Sequence, residues 1–163
     1  MIRYTTGDAA RPVGTGPKII AHICNDQGGW GRGFVLALSC WDDGPERAYR
    51  RWFSQQGLKD FYLGAVEYVP YGPKDDETYV ANMIAQRGIR SPGQDRAVDY
   101  LALDCALQQV GARASHLNAS VHMPRIGCGL GGGTWDEIEP IIQATLVTRG
   151  IDVTVYDLDT TNS

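Results

Sequence analysis

The stretch Ala119-Ser120-Val121-His122-Met123-Pro124-Arg125-Ile126-Gly127-Cys128-Gly129-Leu130-Gly131-Gly132-Gly133-Thr134-Trp135-Asp136-Glu137-Ile138 reads as a strand, a glycine-rich turn and the start of a helix. Ala119–Arg125 is an apolar run bounded by turn residues, as expected of a buried strand. In Gly127–Gly133 the glycines admit positive φ and let a ligand come close to the backbone. Thr134 is placed to cap the helix and Glu137, three residues on, to reach back in a capping box; Ile138, Ile141, Ile142, Thr145 and Leu146 then form one stripe at helical spacing. Gly150 suits the C-terminal cap, and Asp152–Asp157 the strand that follows. A strand that runs through glycines into a helix N-terminus gathers unpaired N–H groups and partial positive charge, which favours phosphate or pyrophosphate. The bland alternative is a turn that merely closes the strand–helix unit, for which one or two glycines would suffice.

The same arrangement recurs nearer the N-terminus. Lys18–Cys24 is a near-continuous apolar run, suited to a strand covered on both faces. It leads into Asn25-Asp26-Gln27-Gly28-Gly29-Trp30-Gly31-Arg32-Gly33. Two such loops can clamp opposite sides of one diphosphate. Asn25 is positioned either to bond a ribose hydroxyl or to tie its loop to the backbone, and Trp30 to be either a lid over a sugar or a core anchor. Asp8, in Gly7-Asp8-Ala9 after a first strand Ile2–Thr6, can accept from an adenine amino group or cap a turn. Cys128 sits where a helix N-terminus would lower its pKa. No histidine is placed to activate it, however, so a small loop residue is the preferred reading. His22 and His122 fall inside apolar strands and read as satisfied core residues.

Between the loops, Phe34–Leu38 is a short apolar segment and Pro45–Gln56 a helix with Ala48, Trp52 and Phe53 near one face. Leu63–Val69 and Tyr79–Ala85 read as strands, Arg87–Pro92 as a loop. A helix is expected from about Gln94 to Ala112, with Val98, Leu101 and Cys105 toward the core. Strands alternating with helices predict a three-layer α/β/α sandwich with a mixed, largely parallel sheet of about six strands. Residues 1–158 are expected to form one domain and 159–163 a short tail. Ligands of such sheets sit at the carboxyl ends of the strands, and both glycine loops leave from those ends. Gly127, Gly129 and Gly132 also satisfy G-x-G-x-x-G, with Asp157 downstream. A dehydrogenase is nevertheless disfavoured, because only Asp159–Ser163 follow and no half remains for a nicotinamide.

The formal charge of -4 over 163 residues, with no basic run, argues against generic nucleic-acid binding, which needs clustered Lys and Arg. Backbone amides can still hold one phosphate-bearing metabolite. No apolar stretch is long enough for a membrane helix. Cys24, Cys40, Cys105 and Cys128 are far apart and no signal peptide precedes them, which suggests free thiols and a cytoplasmic protein; a monomer is expected. His22, His116 and His122 lack metal-ligand spacing, so neither a metal nor another cofactor is expected.

Thr6-Gly7-Asp8, His22-Ile23-Cys24-Asn25 with its Gly-Trp-Gly-x-Gly loop, Met123-Pro124-Arg125-Ile126-Gly127-Cys128-Gly129-Leu130-Gly131-Gly132 and Val153–Asp157 together resemble the macrodomains. Within them the resemblance is to the subgroup of the human terminal ADP-ribose protein glycohydrolase and the yeast ADP-ribose-1″-phosphate phosphatase. It implies that Asp8 contacts the adenine amino group, Ala9 offers its amide and Asn25 faces the distal ribose. Gly29, Trp30, Gly31, Arg32 and Gly33 would form the first clamp, and Ile126, Gly127, Cys128, Gly129, Leu130, Gly131 and Gly132 the second. Tyr156 would border the adenine or belong to the core. The human glycohydrolase uses a lysine and an aspartate at positions that here read Gln86 and Gly131. The aspartate that other macrodomains carry after the first glycine loop is replaced by Phe34-Val35-Leu36. A lysine–sugar adduct is therefore not expected.

Three activities follow as expectations. The first is hydrolysis of the ester between ADP-ribose and an acidic side chain of a protein, with water activated by the ligand's phosphate and oriented by Asn25 and Gln86. The others are phosphatase action on ADP-ribose 1″-phosphate and a reader that binds ADP-ribose without chemistry.

Overall fold

A computed structural model describes residues 1–57, 60–89 and 96–159. The order is β1 (Ile2–Thr6), β2 (Lys18–Asn25), α1 (Phe34–Trp41), α2 (Gly44–Ser54), β3 (Val66–Pro70), β4 (Thr78–Gln86), α3 (Tyr100–Leu117), β5 (Ser120–Met123), α4 (Trp135–Thr145) and β6 (Val153–Asp157). The strands form one sheet ordered β1-β6-β5-β2-β4-β3. All neighbours are parallel except β3, which runs antiparallel along β4 at the edge. This is the expected mixed, largely parallel six-stranded sheet.

Period-two alternation within the central strands creates two cores. Ile19, Ala21, Ala81, Met83, Val121 and Val155 face α3 and α4, meeting Leu103, Leu107, Val110, Ile138 and Ile142. Ile20, Cys24, Val80 and Ile84 face the other way, onto Leu38, Tyr49 and Trp52 of α1 and α2. The apolar run of β2 is thus covered on both faces, which gives the α/β/α layering.

Several local expectations are corrected. The apolar segment Phe34–Leu38 belongs to a helix, α1. Helix α3 starts at Tyr100 because the Asp99 side chain accepts from Ala102 N–H at 2.9 Å and caps it there. That start rotates Leu101 outward, 83% exposed, and leaves Cys105 exposed as well. Val98 is buried, but ahead of the helix, in a bridge to Gln86. The expected beginning of this helix at Gln94, the end of the loop through Pro92 and the tail beyond Asp159 lie outside the described residues. The Thr134 side chain makes no capping bond. Its N–H instead goes to the Tyr100 hydroxyl at 3.2 Å, so a tertiary contact replaces the local box. Gly150 caps a short 3-10 turn, Val147–Arg149, that follows α4.

The two strand histidines are buried in different ways. Asn82 Nδ2 donates to Pro45 O and Glu67 Oε1, which turns Oδ1 toward His22 as an acceptor for Nε2–H at 2.5 Å. His22 Nδ1 has no hydrogen-bond partner among the described residues, so this histidine is only half satisfied there. His122 is bonded at both nitrogens, to Ser120 Oγ (2.8 Å) and to the Tyr156 hydroxyl (2.7 Å). Burial lowers both from about 6.5 to about 4, with Lys18 adding to the effect at His122.

Between those values the unfolded chain binds protons that the folded one refuses. Stability is therefore fully present above pH 6.5 and declines as the pH falls toward 4. The urea midpoint should drop between about pH 6.5 and about 5, above the range of the ion-paired carboxylates, and drop less steeply in His22→Gln and His122→Gln. A midpoint flat across that interval would contradict the assignment.

Candidate functional site

The Asn25 side chain organises the loop at the end of β2. Its Oδ1 accepts from the N–H groups of Gln27 (2.9 Å) and Gly29 (3.1 Å), and Nδ2 donates to Gly29 O (3.0 Å). Beneath it the Tyr49 hydroxyl accepts from Gly28 N–H at 3.0 Å and donates to Asn25 O at 2.5 Å. Burial pushes that hydroxyl's pKa up, so it stays protonated. Trp30 packs downward with 3% of its surface exposed, giving its indole N–H to Ser39 Oγ (2.8 Å) and standing edge-on to His22. Asn25 therefore ties the loop, and Trp30 is its core anchor, with only part of it on the cavity wall.

Past Trp30 the backbone is left open. The amides of Trp30, Gly31, Arg32 and Gly33 meet no acceptor among the described residues. Gly33, at φ 79°, is the N-cap of α1. The unpaired first-turn amides and positive end of α1 consequently join the same opening.

The second loop is pinned more tightly. Gly127 has φ 76°, and a Cβ there would lie 2.7 Å from Ile138 Cδ1 and 3.2 Å from Val98 Cγ2. Gly133 N–H closes the loop on Gly127 O at 2.8 Å, and Gly131 O accepts from the amides of Ala97 and Val98 at 3.0 and 3.1 Å. The bonds of Gly133 N–H and Thr134 N–H use up amides near the start of α4, and Gly132–Thr134 do not line the cavity. The helix N-terminus that opens on the cavity is that of α1. The two loops meet where a Cβ on Gly33 would lie 3.2 Å from Leu130 Cδ1.

Together they wall a cavity of about 820 Å³, within the range of small-molecule sites. Of the residues singled out from the sequence, it brings together Asp8, Ala9, Asn25, Gly29–Gly33, Gln86, Ile126–Cys128, Leu130, Gly131 and Tyr156; Gly129 and Gly132 lie off its wall. Asp8 Oδ1 accepts from Ala10 N–H at 2.9 Å. Gln86 donates Nε2–H to Gly88 O at 3.1 Å, and its Oε1 lies 3.6 Å from where a Cβ of residue 131 would stand. The Tyr156 hydroxyl accepts from Val13 N–H at 3.1 Å and bonds His122, while its ring borders the cavity. Tyr156 is thus a core residue that also lines the cavity.

His22, Cys24, Phe34, Ile89, Arg125 and Leu158 also line the cavity and were not singled out as ligand-binding. Phe34 would have followed from reading Phe34–Leu38 as a helix begun by Gly33. The two thiols of the wall stay protonated: burial raises Cys128 against the pull of Arg125, and it raises Cys24. His22 is neutral above about pH 4. Among the described residues no group of three or more His, Cys, Asp or Glu gathers as a metal site, and no helix is long and apolar enough to cross a membrane.

A doubly covered, mainly parallel sheet with two glycine loops over its carboxyl edge defines an α/β domain with its cavity where ligands of such sheets sit. No protein-family model matches the chain. A macrodomain protein from Streptomyces coelicolor is 50% identical, with TM-score 0.84 over 96% of this chain and 99% of that one. A protein of unknown function from Bacteroides thetaiotaomicron is also 50% identical, with TM-score 0.89 over 97% of this chain and 98% of that one. The chromodomain-helicase-DNA-binding protein 1-like of Danio rerio is 34% identical over 95% of this chain, which spans 15% of that protein's length. The chain belongs to the macrodomain family.

Two glycines of the second loop should differ in tolerance. Gly127→Ala combines positive φ with a clash and should cost about 2–3 kcal/mol of unfolding free energy, whereas Gly129→Ala, at positive φ with open space around it, should cost about 1 kcal/mol. Equal losses in denaturant titrations would disprove the distinction.

Proposed function

We propose that the cavity binds ADP-ribose and that the protein is a mono-ADP-ribosyl hydrolase, cleaving the ester between ADP-ribose and acidic side chains of cytoplasmic proteins. One observation carries this reading: the open amides of Trp30–Gly33, the N-terminus of α1 and the Gln86 oxygen converge on one cavity that also reaches Asp8 and Tyr156. Asp8 and Ala9 take the adenine edge, the first loop and α1 the diphosphate, and the second loop the distal ribose. Asn25 is a positioning residue, since its amide is engaged by the loop.

Water adds at C1″ and the C1″–O bond breaks. The substrate carboxylate leaves with the bonding pair, and the water proton passes to a phosphate oxygen of the ligand. Gln86 Oε1 accepts the other water hydrogen and aims the attack. An acyloxy leaving group departs readily, so positioning and electrostatic stabilisation supply the acceleration. The thiols stay protonated, and burial lowers His22 to about 4, which leaves its imidazole a weak base; both fit chemistry in which the ligand's phosphate takes the proton. The same weakness favours a second reading, a module that binds ADP-ribose without turnover.

Release of ADP-ribose from glutamate-linked but not serine-linked substrate is expected of the purified protein. Intact glutamate-linked substrate after hours, at concentrations where ADP-ribose is bound, would leave the reader. Phosphate release from ADP-ribose 1″-phosphate alone would select the phosphatase. Gly31 lines the cavity with free space around it, so Gly31→Glu should abolish binding through like-charge repulsion while preserving the fold.

Gln86→Leu should lower kcat by about 100-fold, with ADP-ribose affinity within about threefold. Cys128→Ser should stay within about threefold in kcat, because the thiol is not ionised. A reversed order of the two effects would point to a cysteine mechanism.

A further inference from the structure

The ends of β1, β5 and β6 contribute Asp8, Arg125, Tyr156 and Leu158 to the cavity wall. Arg125 is fixed there from two sides. Its Nε and Nη2 donate to the two carboxylate oxygens of Asp157 at 2.7 and 3.0 Å, in a fork-to-fork pair. Its guanidinium carbon lies 5.1 Å from the centre of the Tyr4 ring and 5.2 Å from that of Trp135. Those rings are locked in turn, Trp135 Nε1–H donating to the Tyr4 hydroxyl at 2.9 Å and that hydroxyl donating to Glu139. The Arg125 side chain nevertheless remains 40% exposed.

Asp157 takes the Nε–Nη2 edge of the guanidinium, which removes that edge from a bidentate phosphate contact, and offsets the charge. A flat, delocalised, weakly hydrated group held in this way suits stacking on an aromatic ring better than holding an anion. Arg32, at the first glycine loop, makes no ion pair among the described residues and is the better candidate for the diphosphate. We propose that Arg125 is the base platform of the site, its guanidinium stacking on the adenine ring of ADP-ribose. This rests on the ADP-ribose reading and adds a specificity residue to it: the platform reads the nucleobase and is indifferent to the diphosphate.

The test compares ADP-ribose with ribose 5-diphosphate, which lacks the adenosine, by calorimetry and competition. Arg125→Ala should weaken ADP-ribose by about tenfold and ribose 5-diphosphate by less than about twofold. Arg125→Lys, which keeps the charge without the plane, should behave the same way and guards against a folding artefact in the alanine variant. Equal weakening of both ligands would assign Arg125 to the diphosphate or to loop support and overturn the proposal, as would unchanged affinity for ADP-ribose. Wild-type protein that binds neither ligand would overturn the ADP-ribose reading and this proposal with it, a result visible before any variant is made.

Discussion

The hydrogen bonds of Asn25 are the constraint on which the site depends. A strand that ends inside a three-layer sandwich leaves several backbone N–H groups without partners, and such groups are costly if buried unpaired. Asn25 and the Tyr49 hydroxyl satisfy those of residues 27–29 internally. Trp30 then anchors the chain in the core, and the next amides, on residues that line the cavity, are left without an acceptor among the described residues. The loop is organised to place its unpaired donors, and α1 begins there and adds its own.

On the ADP-ribose reading, this arrangement is how a chain of net charge -4 offers an anion site. Fixed amide dipoles and a helix end attract phosphate without a cluster of lysines and arginines, and they need no reorganisation when the ligand enters. The cations at the cavity are divided in kind. Arg32 stands on the exposed loop without an ion pair among the described residues, whereas Asp157 holds Arg125. Neutral His22 and the protonated thiols add no competing charge.

The features legible in the sequence were those set by local pattern. The apolar run of Lys18–Cys24 announced a strand covered on both faces, and the two glycine clusters announced their loops. What escaped was decided by partners distant in sequence. Tyr100 takes the Thr134 amide and displaces the expected capping box. Asp99 moves the start of α3 and turns Leu101 to solvent. Helix α1 has eight residues, too few for periodicity to separate it from any short apolar segment. Arg125 stood in a quoted motif, but its orientation comes from a carboxylate 32 residues away.

By the resemblance drawn from the sequence, residues 86 and 131 stand where the human glycohydrolase would have its lysine and aspartate. The Gln86 carboxamide is oriented by Gly88 O, which takes Nε2–H and leaves Oε1 free to accept. A side chain at 131 would bring its Cβ to 3.6 Å from that oxygen, in van der Waals contact and filling the space before it. Glycine leaves the space open, while the Ala97 and Val98 amides hold its backbone in place. An oriented acceptor facing a gap suits a water molecule better than a covalent adduct. On the hydrolase reading, the two departures therefore act together: removal of the charged pair makes room for a bound nucleophile whose proton the substrate's own phosphate can accept.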